Sequence, residues 1–492
     1  MNERTRKVAV VGGGITGLSA AYYLQKQAEA QNILLDITLI EATHRLGGKI
    51  QTHRQDGFVI ERGPDSFLSQ TDSINILSRE LGIEDQLIES EAGENYVIVE
   101  DRLLPIPIGS VMGVPTNFKS FLASDLFSWS GKIRAFGDLL LPKSLMKEDQ
   151  SLGHFVRRRF GTEVVDNLIE PLFSGVFAGD INRMSLKSTF PAFYEQRSLI
   201  MGLKKNKLKH AEAFTLNEKG IFQTYRNGLE TLVEALEAQL SCTILKGVKV
   251  ERIDKEQGRA MLQLNNDSTI IADDVILALP HSKNQALFEP HGLLKELKEM
   301  PSTSIATVSM VFAKEAVQSQ TQKGTSFIVA RNSDYAITSC ISLHNRWPSQ
   351  MPDGKLLFKA TVGRVGDEAI VDLSDKEIER TVLADLKKTL DISGNPDFTI
   401  VSRWKEAMPQ YLIGHAKRIQ TARQQLTEEF PMVQMIGSSF DGFGLPQCVE
   451  QGKMAASLLF ERSHPNDERG GNHNEKNDLG SLAVSAADSV RQ

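Results

Sequence analysis

The 492-residue chain is 41% apolar and 24% charged, a globular composition with room for about three domains. Its net charge of -6 disfavours nucleic acid, whose partners display a basic excess. Three scattered cysteines, Cys242, Cys340 and Cys448, lack the spacing of a disulfide framework or zinc site, and no run of about 18 apolar residues offers a membrane span.

Residues 1–7 carry no signal-like apolar core and lead straight into a strand, so a cytoplasmic setting is expected. That strand, 8–11, runs into Gly12-Gly13-Gly14-Ile15-Thr16-Gly17 and then a helix from Leu18. Gly12 permits a tight turn, Gly14 the approach of a pyrophosphate, and Gly17 close packing of helix on sheet, with the helix N-terminus facing the phosphates. A second strand, 37–40, ends in Glu41, whose carboxylate suits adenosine ribose hydroxyls and repels a 2′-phosphate, which disfavours NADP. Strand, glycines, helix, strand and acid in this order outweigh a chance glycine turn. Next come Ala42, Arg45, Gly47, Gly48 and Lys49, placing a cation and side-chain-free residues where the chain must pass the phosphates. This Glu-Ala-x-x-Arg-x-Gly-Gly run resembles the FAD-containing amine oxidase superfamily, which implies FAD in place of a nicotinamide. The plainer alternative is a glycine turn beside a surface arginine.

Residues 49–52 and 57–61 alternate as short strands, closed by Arg62-Gly63-Pro64-Asp65-Ser66-Phe67. This string resembles the bacterial porphyrinogen oxidases of haem synthesis. The resemblance implies that Gly63, Pro64, Asp65 and Ser66 lie against the flavin ring and begin the substrate cavity. Relatives often carry basic residues shortly afterwards, where this chain has Ser69-Gln70-Thr71-Asp72, so the propionate contact expected there is in question. A helix is expected over 73–90 and a hairpin over 96–107, followed by a helical stretch from 110 to about 210. Within it, Phe118, Phe121, Leu122, Leu126, Phe127 and Trp129 interleave with Lys119, Lys132 and Arg134; core packing is favoured over a lipid-facing surface. Arg157-Arg158-Arg159 reads as a solvated helix face before propionate anchors, and Lys204, Lys205, Lys207 and Lys209 as a linker edge. The string over 167–180 again resembles the porphyrinogen oxidases.

From about 222 the chain returns to the cofactor domain, with a helix over 229–239, a strand over 248–253 and a meander ending at 280. In related flavoproteins the valine matching Val250 touches the adenine region. Strands over 307–312, 326–330 and 336–340, the last two joined by a turn at 332–334, form a substrate-domain sheet. Trp404 belongs to a Trp-x-x-x-x-Pro-x-Tyr spacing that recurs among flavin amine oxidase relatives. A last strand, 433–436, opens the second motif, in which Gly437, Gly444, Leu445 and Pro446 precede a helix aimed at the flavin pyrimidine ring. From 463 the chain is polar and reads as a disordered tail.

The expected fold is α/β, α+β overall: a Rossmann-like FAD-binding domain (1–90, 222–280, 402–462), an antiparallel-sheet substrate domain (91–110, 281–401) and an inserted helical domain (111–210), with the tail over 463–492. The resemblance, spanning about 6–461, implies an oxygen-dependent oxidase that converts coproporphyrinogen III to coproporphyrin III and forms hydrogen peroxide. A protoporphyrinogen oxidase, an amine oxidase, a desaturase and a non-redox dinucleotide module are the alternatives. Its partners would be the porphyrinogen and oxygen, with peripheral membrane contact and hand-off to a ferrochelatase left open. No acid or base is assigned, because the cofactor carries the redox chemistry, and His154, His281, His344 and His415 are read as structural.

Overall fold

The computed structural model describes residues 5–69, 71–141, 148–194, 198–204, 220–317 and 324–463. Gln70, Pro142, Lys205, Lys207, Lys209 and 464–492 lie outside this set.

Strand β1 (Arg6–Val11) enters helix α1 (Ile15–Gln31), which stops where Asn32 turns left-handed at φ 53° and returns its N–H to Ala28 and Glu29 carbonyls. β2 (Leu35–Glu41) then pairs parallel with β1. The hairpin β3 (Thr52–Gln55) and β4 (Phe58–Glu61) turns on Asp56 and Gly57, at φ 51° and 81°, so the first strand starts three residues later than expected. After β5 (Phe67–Leu68), α2 (Asp72–Glu80) is shorter than the helix expected over 73–90. Gly82, at φ 70°, ends it: the Gly82 and Ile83 N–H groups bond back to Arg79 and Ser78, and the chain reverses into β6 (Leu87–Glu89). The expected hairpin is present as β7 (Glu94–Val99) and β8 (Arg102–Pro105), followed by the short pair β9 (Ser110–Val111) and β10 (Val114–Pro115).

The helical part holds α3 (Phe118–Ala123), α4 (Trp129–Ala135), α5 (Leu152–Phe160), α6 (Thr162–Val164), α7 (Glu170–Phe177), α8 (Leu186–Thr189), α9 (Pro191–Tyr194) and α10 (Leu199–Lys204). Phe121, Leu126, Phe127, Phe155 and Phe160 are buried in its core, whereas Leu122 and Trp129 are exposed. The arginine run is a correction. Arg159 is not a solvated residue but a buried one, its guanidinium 2.5 Å from Asp138, which also accepts from Ser198 Oγ and the Ile200 N–H.

β11 (Phe222–Tyr225) inserts between β5 and β6, and α11 (Glu230–Gln239) leads to β12 (Thr243–Lys246). That four-residue strand was not expected; it is the edge of the parallel sheet, and the strand placed at 248 begins at Val250. A meander follows, β13 (Val250–Glu256), β14 (Arg259–Leu264) and β15 (Thr269–Ala272), then β16 (Asp274–Leu277) and α12 (His281–Phe288). The remaining elements are β17 (Ser302–Ala313), β18 (Gly324–Val329), β19 (Ile337–Ser342), α13 (Leu343–Arg346), β20 (Lys355–Val362), α14 (Asp375–Leu390), β21 (Phe398–Pro409), α15 (His415–Glu429), β22 (Val433–Met435) and α16 (Leu445–Ser463).

Two sheets position everything else. The parallel one runs β12-β2-β1-β16-β22. One apolar core joins it to α1, α11 and α16, another to the meander, α12 and α15. The second sheet runs β21-β17-β20-β19-β18-β7-β8 and is antiparallel except for the parallel pair β18–β7. Helix α14 buries one of its faces through Ile378, Val382 and Leu386. Two expected boundaries shift. Residue 402 falls inside β21, which stays paired with β17 as far as Pro409, and α12 packs with the meander core and not with the second sheet.

Candidate cofactor and substrate site

The parallel strands end in two glycine loops. At the first, Gly12 sits at φ 109°, its N–H donating to Ile40 O and its α-carbon so close to Ala278 that a β-carbon would stand 2.6 Å from that carbonyl. A β-carbon on Gly17 would fall 1.9 Å from Gly12 O, so only glycine lets α1 start this near the strand. Gly14 differs: it precedes α1 without a side-chain cap, and its β-carbon position opens on free space. Ile15 and Thr16 form the buried first turn. Glu41 accepts the Gly13 N–H at 2.7 Å and, through its other oxygen, Thr43 N–H and Oγ at 2.8 Å, which ties the end of β2 to the glycine loop. Ala42 is exposed beside it. The Gly247 and Val248 N–H groups bond to Thr43 and Glu41 carbonyls, bringing Val250 to this same end.

Gly47 and Gly48 lie against that loop: the Gly47 N–H donates to Gly13 O at 2.8 Å, and a Gly48 β-carbon would meet Gly14 Cα at 3.2 Å. Arg45 secures them by donating to the Gly48 and Ile50 carbonyls, with Glu230 at 3.3 Å. Its hydrogen bonds therefore go to the chain. Lys49 crosses the site, its ammonium bonded to Ala407 O and 3.5 Å from Ser438 Oγ; burial pulls its pKa down.

Around the second loop, Gly437 at φ 122° opens on free space, and its N–H is held by Gln451 Oε1 at 2.8 Å. Tyr411 Oη donates to Ser438 O and accepts the Gly442 N–H, both at 2.9 Å, while its ring stacks on His415 at 3.9 Å. His415 reaches Phe440 O, and His281 reaches Ser439 Oγ and Met300 O. Burial lowers both histidines, His415 to about 4, so both are neutral buttresses. Gly444 O accepts the Cys448 N–H, which places Leu445 first and Pro446 second in α16, one position later than expected for the proline and still within the tolerated first turn.

Between the loops runs Gly63-Pro64-Asp65-Ser66. Its start is clamped to the second sheet: Arg62 O accepts from Thr307 Oγ1 at 2.6 Å and Trp404 Nε1 at 2.9 Å, and Gly63 O from Lys359 Nζ at 2.5 Å. A β-carbon on Gly63 would stand 2.1 Å from Lys49 O. Burial opposes ionisation of Asp65, but the Lys359 and Arg346 charges and the Ser66 hydroxyl hold its carboxyl below the usual range. Opposed residues put Ile328, Ser339, Ile341, Lys359, Thr361 and Thr307 on one face of the sheet, opposite the α14 side. Helix α7 borders this face, a Gly175 β-carbon lying 3.5 Å from Ile328. An aromatic chain continues from there, Phe173–Phe177 at 5.8 Å and Phe177–Phe443 at 4.8 Å, linking the helical part to the second loop.

Both loops stand at the carboxyl ends of parallel strands, where open α/β sheets bind ligands. The residues fit a dinucleotide: Gly14 and Gly437 face open space while Gly12, Gly17, Gly47 and Gly48 are packed against backbone, and the uncapped α1 N-terminus presents N–H donors for a pyrophosphate. The fold and site thus define a two-motif dinucleotide-binding protein. A family model, flavin containing amine oxidoreductase, matches residues 15–459. The chain belongs to this family and is an FAD-dependent oxidoreductase. It is 47% identical to a coproporphyrinogen III oxidase of Bacillus subtilis over 93% of this chain and 98% of that one. A coproporphyrinogen III oxidase of Staphylococcus aureus is 39% identical, over 93% and 99%. A solved Exiguobacterium structure, described as a protoporphyrinogen oxidase, superposes with TM-score 0.83 at 35% identity, covering 93% and 99%.

Sequence reasoning missed the supports of the loops. Ala278 against Gly12 and Gln451 on Gly437 carried no pattern, and Lys359 was hidden in an apolar strand. Tyr411 lay within the noted tryptophan–proline–tyrosine spacing, so its role had a signal.

Proposed function

We propose that this chain oxidises coproporphyrinogen III to coproporphyrin III, with oxygen as final acceptor and hydrogen peroxide formed. The observation that carries the reading is the half-buried aromatic chain from Phe443 through Phe177, on the helix that borders the hydroxyl-bearing sheet face, a wall suited to a flat macrocycle. The oxidase relatives from Bacillus and Staphylococcus support it. When bound, FAD supplies the two-electron acceptor chemistry. Gly12–Gly17, Gly47 and Gly48 would hold its phosphates, Glu41, Ala42 and Val250 its adenosine, and Gly437, Gly444, Leu445 and Pro446 its ribityl and pyrimidine end, with Lys49 reaching to the second loop through Ala407 and Ser438. Gly63, Pro64, Asp65 and Ser66 would lie against the ring, with Trp404 fixing their position through Arg62. Arg45 would act through the loop whose carbonyls it holds. The chain's own work is to orient a meso carbon and exclude water. Anaerobic mixing of holoenzyme with coproporphyrinogen III should bleach the flavin band near ~450 nm; a spectrum unchanged by either porphyrinogen would sink the reading.

A second reading concerns the surface. Trp129, Ile133 and Leu140 are 69%, 72% and 88% exposed, and Leu122 and Leu139 lie nearby in sequence, with Lys119 and Arg134 as basic companions. These residues support a peripheral membrane contact. Co-sedimentation with anionic vesicles, lost in a Trp129→Ser/Ile133→Ser variant, is the expected result; an unbound wild type excludes it. Hand-off of the product to a ferrochelatase remains part of the proposal.

A further inference from the structure

Two cations beside Gly63–Ser66 are buried with, among the described residues, no carboxylate oxygen at ion-pair distance. Lys359 and Arg346 are 4% and 7% exposed. The Lys359 ammonium has the Gly63 carbonyl, and the Arg346 guanidinium stands 5.1 Å from the centre of the Phe222 ring. The ionisable groups that act on them are Asp65 and Glu61. Burial pulls both bases down and Asp65 pulls them up, while burial pushes the Glu61 carboxyl up to about 8, so Asp65 is the carboxylate that the two bases share. Buried charge of this kind calls for a further anion.

The run Ser69-Gln70-Thr71-Asp72 that follows β5 carries no cation. Phe222 pairs with Leu68, the residue just before that run, so Arg346 stands over the same strand pair while arriving from α13, far along the chain. The guanidinium lies over the Phe222 ring, and such a group binds a carboxylate through the two parallel hydrogen bonds of its edge. We propose that Arg346, seconded by Lys359, receives a carboxylate of the substrate. This rests on the porphyrinogen reading.

The test titrates FAD-loaded protein with coproporphyrin III and, in the same detergent, with its tetramethyl ester, following porphyrin fluorescence. Arg346→Gln should weaken the acid about tenfold or more and leave the ester unchanged, with Arg346→Lys recovering part of the loss. Lys359→Met should show a smaller acid-selective loss. Equal losses for acid and ester, or none, overturn the proposal. So does an altered flavin potential with acid binding intact, since the cations would then serve the cofactor. Should Arg346→Gln fail to retain FAD, the acid-to-ester ratio of Arg346→Lys decides. A wild type that binds neither porphyrin would instead bring down the porphyrinogen reading itself.

Discussion

At the residue scale, Glu41 and Glu61 show how one side-chain type serves two ends. Glu41 ties the glycine loop to β2 through Gly13 and Thr43. Glu41→Ala would leave the Gly13 N–H without its partner and, on the proposed cofactor placement, remove a ribose acceptor, at roughly 1.5 to 3 kcal/mol in FAD affinity. Flavin occupancy after dialysis should fall; full retention would contradict this. Glu61 is 4% exposed, and burial raises its carboxyl to about 8, although the Leu229 N–H and Thr52 hydroxyl pull the other way. With the folded pKa above the unfolded 4.5, the fold takes up a proton in that interval. Its contribution to stability is present below the unfolded pKa and is lost as pH rises through about 8. Urea midpoints should therefore decline with rising pH across this window more steeply in wild type than in Glu61→Gln; parallel slopes would refute it.

At the scale of elements, the two glycine motifs meet where α16 crosses α1. A β-carbon on Gly452 would stand 2.7 Å from Thr16 O and 2.8 Å from Ala20 N, both backbone atoms that cannot swing aside. Gly452→Ala should cost roughly 1–3 kcal/mol as the helices separate. Thermal unfolding should show a lower Tm together with faster FAD loss, because both loops are displaced; an unchanged Tm would mean that the helices slide freely. Tyr411 couples β21 to the second loop. Removing its hydroxyl takes away the bonds to Ser438 O and the Gly442 N–H, and Tyr411→Phe should raise the FAD dissociation rate without unfolding the chain. Stopped-flow apoprotein exchange measures it, and an identical rate would place the loop's support elsewhere.

At the scale of the whole molecule, the helical part touches the second sheet through Gly175 and Ile328 and the second loop through Phe177 and Phe443, and the carboxylate count of the substrate should decide what binds there. Coproporphyrinogen III carries four propionates and protoporphyrinogen IX two. If one charge-assisted contact separates them, kcat/KM should favour coproporphyrinogen by more than about tenfold, since ~1.4 kcal/mol is a factor of ten. Steady-state oxidation of both in matched detergent, read as porphyrin fluorescence, tests this. A preference for protoporphyrinogen would overturn the substrate assignment and leave the flavin chemistry standing.

Local patterns carried much of this protein. Glycines placed against backbone, an acid ending β2 and a Gly-Pro string are readable because each answers a short-range steric or electrostatic demand: Gly17 must be glycine wherever α1 starts beside Gly12. Other features arise only from tertiary packing. Thr243–Lys246 is too short to announce itself as a sheet edge, and Pro409 ends β21 later than residue 402 implied because β17 continues to pair with it. Arg159 became a buried partner of Asp138 because burial depends on which face the fold covers. Arg346 and Lys359 reach Asp65 from elements nearly three hundred residues away, and proximity across that distance has no local signature.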